Sequence, residues 1–255
     1  MIGYQIAAQT KCFNEPIRKA LHTAARLQCN GVQIDVRSEL PQTELSQTGV
    51  RQFRKMLADL NLRVGSVAFP TRRGLASPHD LERRLEATRA AMVLGSQLES
   101  RVLVCNLGEL PGEPSTLTEA LLNLAMHGNR LGVQIVVQAA ATDPEEISGY
   151  IASLPEGTLA LDLHPAQLIA NGHSPQEFVS RIGQYIAHVH AVDGVYDLAN
   201  GQGVEVELGR GSSDFPELLG GLEEFGYRGW LTIERRASRQ PIEDIGNAVQ
   251  FLRTL

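Results

Sequence analysis

The chain is short of positive charge: 23 Lys and Arg stand against 29 Asp and Glu, a net charge of -6. No global positive field is available to hold a phosphate backbone, so nucleic acid is not an expected partner. Cysteine is scarce as well. Cys12, Cys29 and Cys105 are odd in number and show no Cys-x-x-Cys spacing, which argues against a disulfide framework and fits reduced, unpaired thiols in a cytoplasmic protein. No apolar run approaches the ~18 residues of a membrane span. The opening MIGYQIAAQTK has no basic segment leading into a long apolar stretch, so neither a membrane partner nor a secretory signal is expected. Internal repeats, low-complexity stretches and linkers are missing too, and with 43% apolar residues in 255 the chain is long enough for one large core and one domain, residues 1 to 255.

What is present is an alternation. Eight short apolar runs of strand length occur at 2–7, 31–36, 63–69, 101–106, 133–138, 158–163, 185–191 and 229–234. Between them apolar residues recur with helical period, behind start signals: Asn14, Ser77-Pro78, Asp143-Pro144, Ser174-Pro175 and Asp214. A capping side chain satisfies orphan amides and a following proline presets φ, so these pairs predict helix N-termini. Eight strand-then-helix units in this length predict an α/β fold, a (β/α)8 TIM barrel. The rival open doubly wound sheet would want a glycine-rich loop after its first strand, and AQTKCFNEP contains no glycine.

A barrel of this type builds its site at the carboxyl ends of its strands. Those ends carry Asp35 and Arg37 (second strand), Asn106 (fourth), Gln138 (fifth), Asp162 and His164 (sixth), His188 and His190 with Asp193 just beyond (seventh), and Glu234 (eighth). Side chains two apart along a strand point the same way. The later member of each pair therefore falls nearer the mouth, predicting a ring of Gln138, His164, His190 and Glu234 with Asp162 and His188 one layer deeper. A carboxylate beneath an imidazole is how a ligating histidine is oriented, and this mixed N and O set suits a divalent transition metal.

Two loops add candidate anion contacts. ELGRGSSDFPELL (207–219) places glycines around Arg210 before a helix start, where barrels often bind phosphate; a loop that simply needs glycine dihedrals is the alternative. FPTRRG (69–74) brings Arg72 and Arg73 to the same rim.

The stretches HVHAVD (188–193), 207–234 and HPAQLIANGHSP (164–175) together resemble the xylose isomerase-like TIM barrels, a family of sugar phosphate isomerases and epimerases related to endonuclease IV, and the resemblance runs along essentially the whole chain. It implies one divalent metal (Mn, Co, Zn or Mg) held from the last four strands, with His190 and Glu234 in two ligand positions. Gln138 stands where the family has a glutamate, the register of HPAQL puts His164 in the place of an aspartate, and Tyr196 replaces an arginine.

The function implied is isomerisation or epimerisation of a sugar, keto-sugar or sugar phosphate through an enediolate. Glu234, His190 and Gln138 are the catalytic candidates, His164, His190, Glu234 and Gln138 the metal ligands, and Arg210, Asp193, Asn106 and Arg72 the substrate contacts. An amide cannot accept a proton from carbon, so the alternative is a sugar-binding or regulatory protein that has lost the chemistry. The apolar face of 117–131 serves core packing or a homodimer equally well.

Overall fold

A computed structural model describes residues 4–40, 46–112, 115–139, 142–199 and 201–255. In chain order the elements are β1 (Gln5–Gln9), α1 (Ile17–Arg26), β2 (Gly31–Asp35), α2 (Gln47–Asp59), β3 (Arg63–Ala68), α3 (Leu81–Gln97), β4 (Val102–Asn106), α4 (Ser115–Leu131), β5 (Gln134–Gln138), α5 (Pro144–Ala152), β6 (Ala160–Leu163), α6 (Pro165–Ala170), α7 (Pro175–Ile182), β7 (Ile186–Ala191), β8 (Asp193–Asp197), β9 (Gln202–Val206), α8 (Phe215–Glu224), β10 (Trp230–Ile233) and α9 (Pro241–Thr254). Eight parallel strands close into a barrel in the order β1-β10-β7-β6-β5-β4-β3-β2, the single-domain TIM barrel that the strand and helix alternation predicts. Strands β8 and β9 form a separate antiparallel hairpin.

Each of the eight candidate runs supplies one barrel strand. The first is displaced: Ile2 and Gly3 lie outside the described residues, and β1 runs on to Gln9, which brings a polar residue into the barrel that the shorter run 2–7 leaves out. Three helix starts are as expected. Asp143 accepts from the Glu145 and Glu146 amides, Ser174 from Glu177 N and Asp214 from Glu217 N, each with proline in the first turn.

Two starts differ. Asn14 ends a short 3-10 turn, Thr10–Phe13, in the left-handed region (φ 53°), and α1 begins only after Pro16. Ser77-Pro78 precedes α3 by a loop, because Asp80 before the helix lies in the left-handed region (φ 50°), and Arg84 reaches back to the carbonyls of Ser77 and His79.

The lower end of the barrel is closed by Trp230 at the start of β10. A Cβ at Gly31 would stand 2.8 Å from this indole, and one at Gly65 2.6 Å. Glycine at both positions is what lets the ring lie across the strands, with the Arg63 guanidinium over its face at 5.1 Å. Above this plug the interior is polar rather than aliphatic: Gln33, Ser66, Asp162, His188 and Thr232 are all buried. The aliphatic core lies instead between the strands and the helices. Among the described residues no helix is long and apolar enough to cross a membrane.

Candidate functional site

Asp162 is the hub of the barrel interior. Its Oδ1 lies 2.6 Å from His188 Nδ1, its Oδ2 lies 2.7 Å from His190 Nδ1, and Oδ2 also accepts from Gln138 Nε2 at 3.0 Å. Burial pushes the Asp162 pKa up, but the His190 charge and the bonds from both imidazoles outweigh it and hold the carboxyl below its usual range. A carboxylate accepts only, so both histidines carry a proton on Nδ1.

Their far nitrogens differ. His188 Nε2 faces the hydroxyls of Ser66 (3.0 Å) and Thr232 (2.9 Å). Gln33 Nε2 donates to Ser66 Oγ at 2.9 Å, which leaves the Ser66 proton for His188, so His188 is the neutral tautomer. Burial is the main reason its pKa falls.

His190 Nε2 meets Gln33 Oε1 at 3.0 Å. That amide cannot be turned over: Gln9 Nε2 donates to Gln33 Oε1 (2.7 Å) and to Glu234 Oε2 (2.9 Å), and Cys12 Sγ donates to Gln9 Oε1 (3.3 Å). Facing an acceptor at each nitrogen, His190 is an imidazolium. Burial lowers its pKa, and the Asp162 charge and hydrogen bond, with Glu234, more than reverse this and raise it.

Glu234, just past β10, is gripped from above. Arg236 Nε lies 2.8 Å from Oε1 and Arg236 Nη2 donates to Oε2 at 2.9 Å. His164 Nε2 stands 3.5 Å from Oε1 and His190 Nε2 3.9 Å from Oε2. Burial raises the Glu234 pKa, but His164, His190 and Arg236 lower it to about 2. His164 follows the last residue of β6 and caps α6, its Nδ1 accepting from Gln167 N at 3.3 Å. Its Nε2 is buried and has no hydrogen-bond partner among the described residues.

Over this network the barrel opens into a cavity of about 540 Å³ lined by Lys11, Gln33, Asn106, Gln138, His190 and Arg236 among others. Of the residues expected at the mouth, Gln138, His190 and Asn106 line it. Asn106 Oδ1 also accepts from Gly108 N at 3.0 Å. Glu234 and His164 are buried beneath the lining.

The structure departs from the expected arrangement at four residues, Asp162, Asp193, Arg210 and Arg72. Asp162 does not sit under His164 as its orienting partner. Side chains two apart on one strand are separated by ~6.6 Å, whereas neighbouring strands are ~4.8 Å apart, and the register sets Asp162 beside His188 on β7. Its carboxylate therefore serves the β7 imidazoles.

Asp193, expected as a substrate contact, is buried and turned to the glycine loop, whose amides it occupies. Asp193 Oδ2 accepts from the amides of Gly209 (3.1 Å) and Gly211 (2.8 Å), and Oδ1 from Gly194 (2.9 Å) and Ser213 (3.1 Å). The chain's own carboxylate fills the nest of backbone donors. Arg210 at its tip is exposed and lines no part of the mouth.

Arg72 is likewise outside the mouth and lines a different cleft. Gln9, Gln33, Ser66, Thr232 and Arg236 are functional-site neighbours that the sequence reading missed. Gln33 shares parity with Asp35 on β2 and so was within reach of the same argument.

The sequence profile of the family described as Xylose isomerase-like TIM barrel matches residues 21–255. The chain belongs to this family. The xylose isomerase-like barrel is 28% identical over 191 residues to an uncharacterized protein of Methanocaldococcus jannaschii, a match covering 66% of this chain and 62% of the relative. In fold it is similar to a xylose isomerase domain protein from Planctomyces limnophilus, with a TM-score of 0.82, 21% identity and coverage of 91% and 90% of the two chains. It is also similar to D-allulose 3-epimerase from Methylomonas sp. in complex with D-allulose, with a TM-score of 0.77, 17% identity and coverage of 100% and 98%.

In this xylose isomerase-like barrel, Asp162, His188 and His190 are buried and offer ligand atoms within 4.8 Å of one another, a group that could hold a metal ion. His164 Nε2, buried and without a hydrogen-bond partner among the described residues, stands beside Glu234. Imidazole and carboxylate together fit a borderline divalent ion. An ion among Asp162, His188 and His190 would have to displace the Nδ1 protons that both imidazoles direct at Asp162, and one at Glu234 would have to displace the Nε2 protons of His164 and His190 and move Gln9 and Arg236 off the carboxylate.

Proposed function

We propose that this chain is a sugar isomerase or epimerase that moves a proton on a carbon next to a carbonyl. The observation that carries the reading is the pairing of an imidazolium, His190, with a carboxylate, Glu234, 3.9 Å apart at a polar cavity large enough for a monosaccharide. Enediolate chemistry needs a group to take the proton from carbon and one to supply a proton to the carbonyl oxygen. Glu234 is the base and His190 the acid.

A carboxylate held at about 2 is a weak base. Displacement of Arg236 by an entering sugar removes one of the charges that depress it, restoring basicity when substrate arrives. Gln138 and Asn106 are placed to bond sugar hydroxyls. Where the family's divalent ion binds, His164, His190 and Glu234 with Gln138 as a neutral donor would hold it, and it would polarise the substrate carbonyl in place of the His190 proton, which that ligation removes. The fold likeness to D-allulose 3-epimerase supports a small carbohydrate as the ligand.

One observation favours a second reading, a sugar-binding protein without turnover: Gln138 is an amide committed to Asp162, and Arg236 already occupies the carboxylate. The two readings separate in D2O. Aldoses and ketoses, with and without a phosphate, are incubated with the protein and Mn or Co, and proton NMR follows deuterium entering beside the carbonyl. Exchange that disappears in Glu234→Gln is expected; sugar binding with no exchange on any substrate would leave the second reading standing.

A further inference from the structure

A second cavity, about 670 Å³, lies outside the barrel between the segments that follow β2 and β3 and the flank of α3. Its wall carries Arg37, Arg72, Arg73, Arg83 and Arg84 with His79, against a single carboxylate, Asp80. In a chain of net charge -6 this is a local reversal of sign.

Among the described residues the guanidiniums here also lack ion-pair partners. The largely buried Arg235, by contrast, is paired with Glu205 (2.7 Å) and Asp244 (2.8 Å), and the exposed Arg236 with Glu234. Among the described residues none of the five cleft arginines has a carboxylate within ion-pair distance. Arg84 is only 8% exposed. Its Nη atoms donate to the His79 and Ser77 carbonyls, and its buried Nε has no partner. Arg37 is tethered to the Pro70 carbonyl at 2.9 Å. Two of the five are thus fixed at the wall by backbone oxygens, with no ion pair among the described residues.

The remaining surface is apolar. Val36 and Phe69 form one side, and Ala87, Ala90 and Ala91 of α3 the other. Spaced three and four apart, these alanines share one helix face. Their small side chains leave room where a leucine would fill the cleft.

Uncompensated guanidiniums recognise phosphate by planar, paired N–H donors, and several of them together match more than one phosphate. An adjoining apolar wall calls for a ligand with an apolar or flat portion. The volume falls within the ~300–1,000 Å³ of small-molecule sites. Thr71 lines both this cleft and the barrel mouth, so an occupant lies against the loop that borders the sugar cavity.

We propose that this cleft is a binding site for an organic polyphosphate, of which a nucleoside diphosphate is the simplest form, separate from the sugar site. The inference does not depend on turnover at the mouth.

The test titrates the full chain, at low and at moderate salt, with ADP, ATP and pyrophosphate by calorimetry, using Arg73→Ala, Arg83→Ala and Ala87→Leu, with circular dichroism to show that each variant is folded. Saturable binding of ADP is expected, weakened about tenfold by loss of either arginine. Ala87→Leu is expected to remove ADP binding while sparing pyrophosphate, which uses only the charges. No saturable binding of any of the three at low salt, equal affinity in the arginine variants, or duplex DNA displacing ADP at lower concentration than ATP does would each overturn the proposal.

Discussion

Arg236 lies across both carboxylate oxygens of Glu234, Nε at 2.8 Å from Oε1 and Nη2 at 2.9 Å from Oε2. A guanidinium in this position supplies the positive charge that a metal would otherwise bring, and competes for the same lone pairs. Arg236→Gln is therefore expected to raise Mn affinity by about tenfold, the worth of one charge-assisted contact. Calorimetric titration of chelator-stripped protein measures it; an affinity equal to or below that of the parent chain would show that ion and guanidinium do not compete.

The network around Asp162 makes a prediction about protonation in the metal-free protein. His190 has a raised pKa and His188 a lowered one. In chelator-treated protein, ring 15N shifts at pH 6.5 are expected to show His190 mainly protonated on both nitrogens and His188 mainly neutral. A neutral His190 at that pH would break the assignment.

The same shifts set a stability window. His190, raised when folded, contributes stability that is full below 6.5 and is lost as pH rises through its folded value. Asp162, depressed when folded, contributes stability that is present above 3.8 and is lost as pH falls through its folded value. His188, lowered when folded, works against His190 below 6.5, so urea denaturation of metal-free protein is expected to show stability lost on the acid side through the folded Asp162 value and on the alkaline side through the folded His190 value. Asp162→Asn is expected to cost about 3–5 kcal/mol, since it leaves the buried His190 charge without its partner. A loss under about 1 kcal/mol would mean the pair acts as a surface one.

Asp193 is expected to matter for stability and Arg210 not at all. Asp193→Ala strips four backbone amides of their acceptor, a loss of at least about 3 kcal/mol. Arg210→Ala is expected to fall within ~0.5 kcal/mol of the parent chain and to leave sugar phosphate binding unchanged. Weakened phosphate binding in Arg210→Ala would restore the loop as an anion site.

Gly65 and Trp230 are expected to be coupled. A methyl at Gly65 lands 2.6 Å from the indole, and overpacking of this kind costs about 1–3 kcal/mol. Trp230→Leu is expected to be less harmful in the Gly65→Ala background than alone, and a double-mutant cycle on urea midpoints reads the difference. Strict additivity would show that the contact is relieved elsewhere.

The fold was legible because strand and helix periods alternate cleanly over the whole chain, and the capping pairs at Asp143, Ser174 and Asp214 mark their helices. His190, Gln138 and Glu234 were legible from their places at strand ends. Their partners were not. Strand parity relates residues along one strand, while the bonds of Asp162 run across to β7, and that register depends on a shift between Leu161 and Asp162 that no periodicity reveals. His164 escaped parity for a related reason: β6 ends at Leu163, so the residue already belongs to a helix cap. The glycine loop was misread because its amides and the carboxylate that fills them lie 16 or more residues apart. Gln9 and Gln33 carry no chemical signature of their own and gain importance only as the amides that orient His190.

Trp230 is the chain's single tryptophan, and it sits at the amino-terminal end of the barrel, opposite the cavity. Its emission is a built-in optical probe of barrel closure that is remote from anything bound at the mouth. A spectral change on adding sugar would then signify movement of the strands themselves, and an unchanged spectrum beside a calorimetric heat would signify binding to a rigid scaffold.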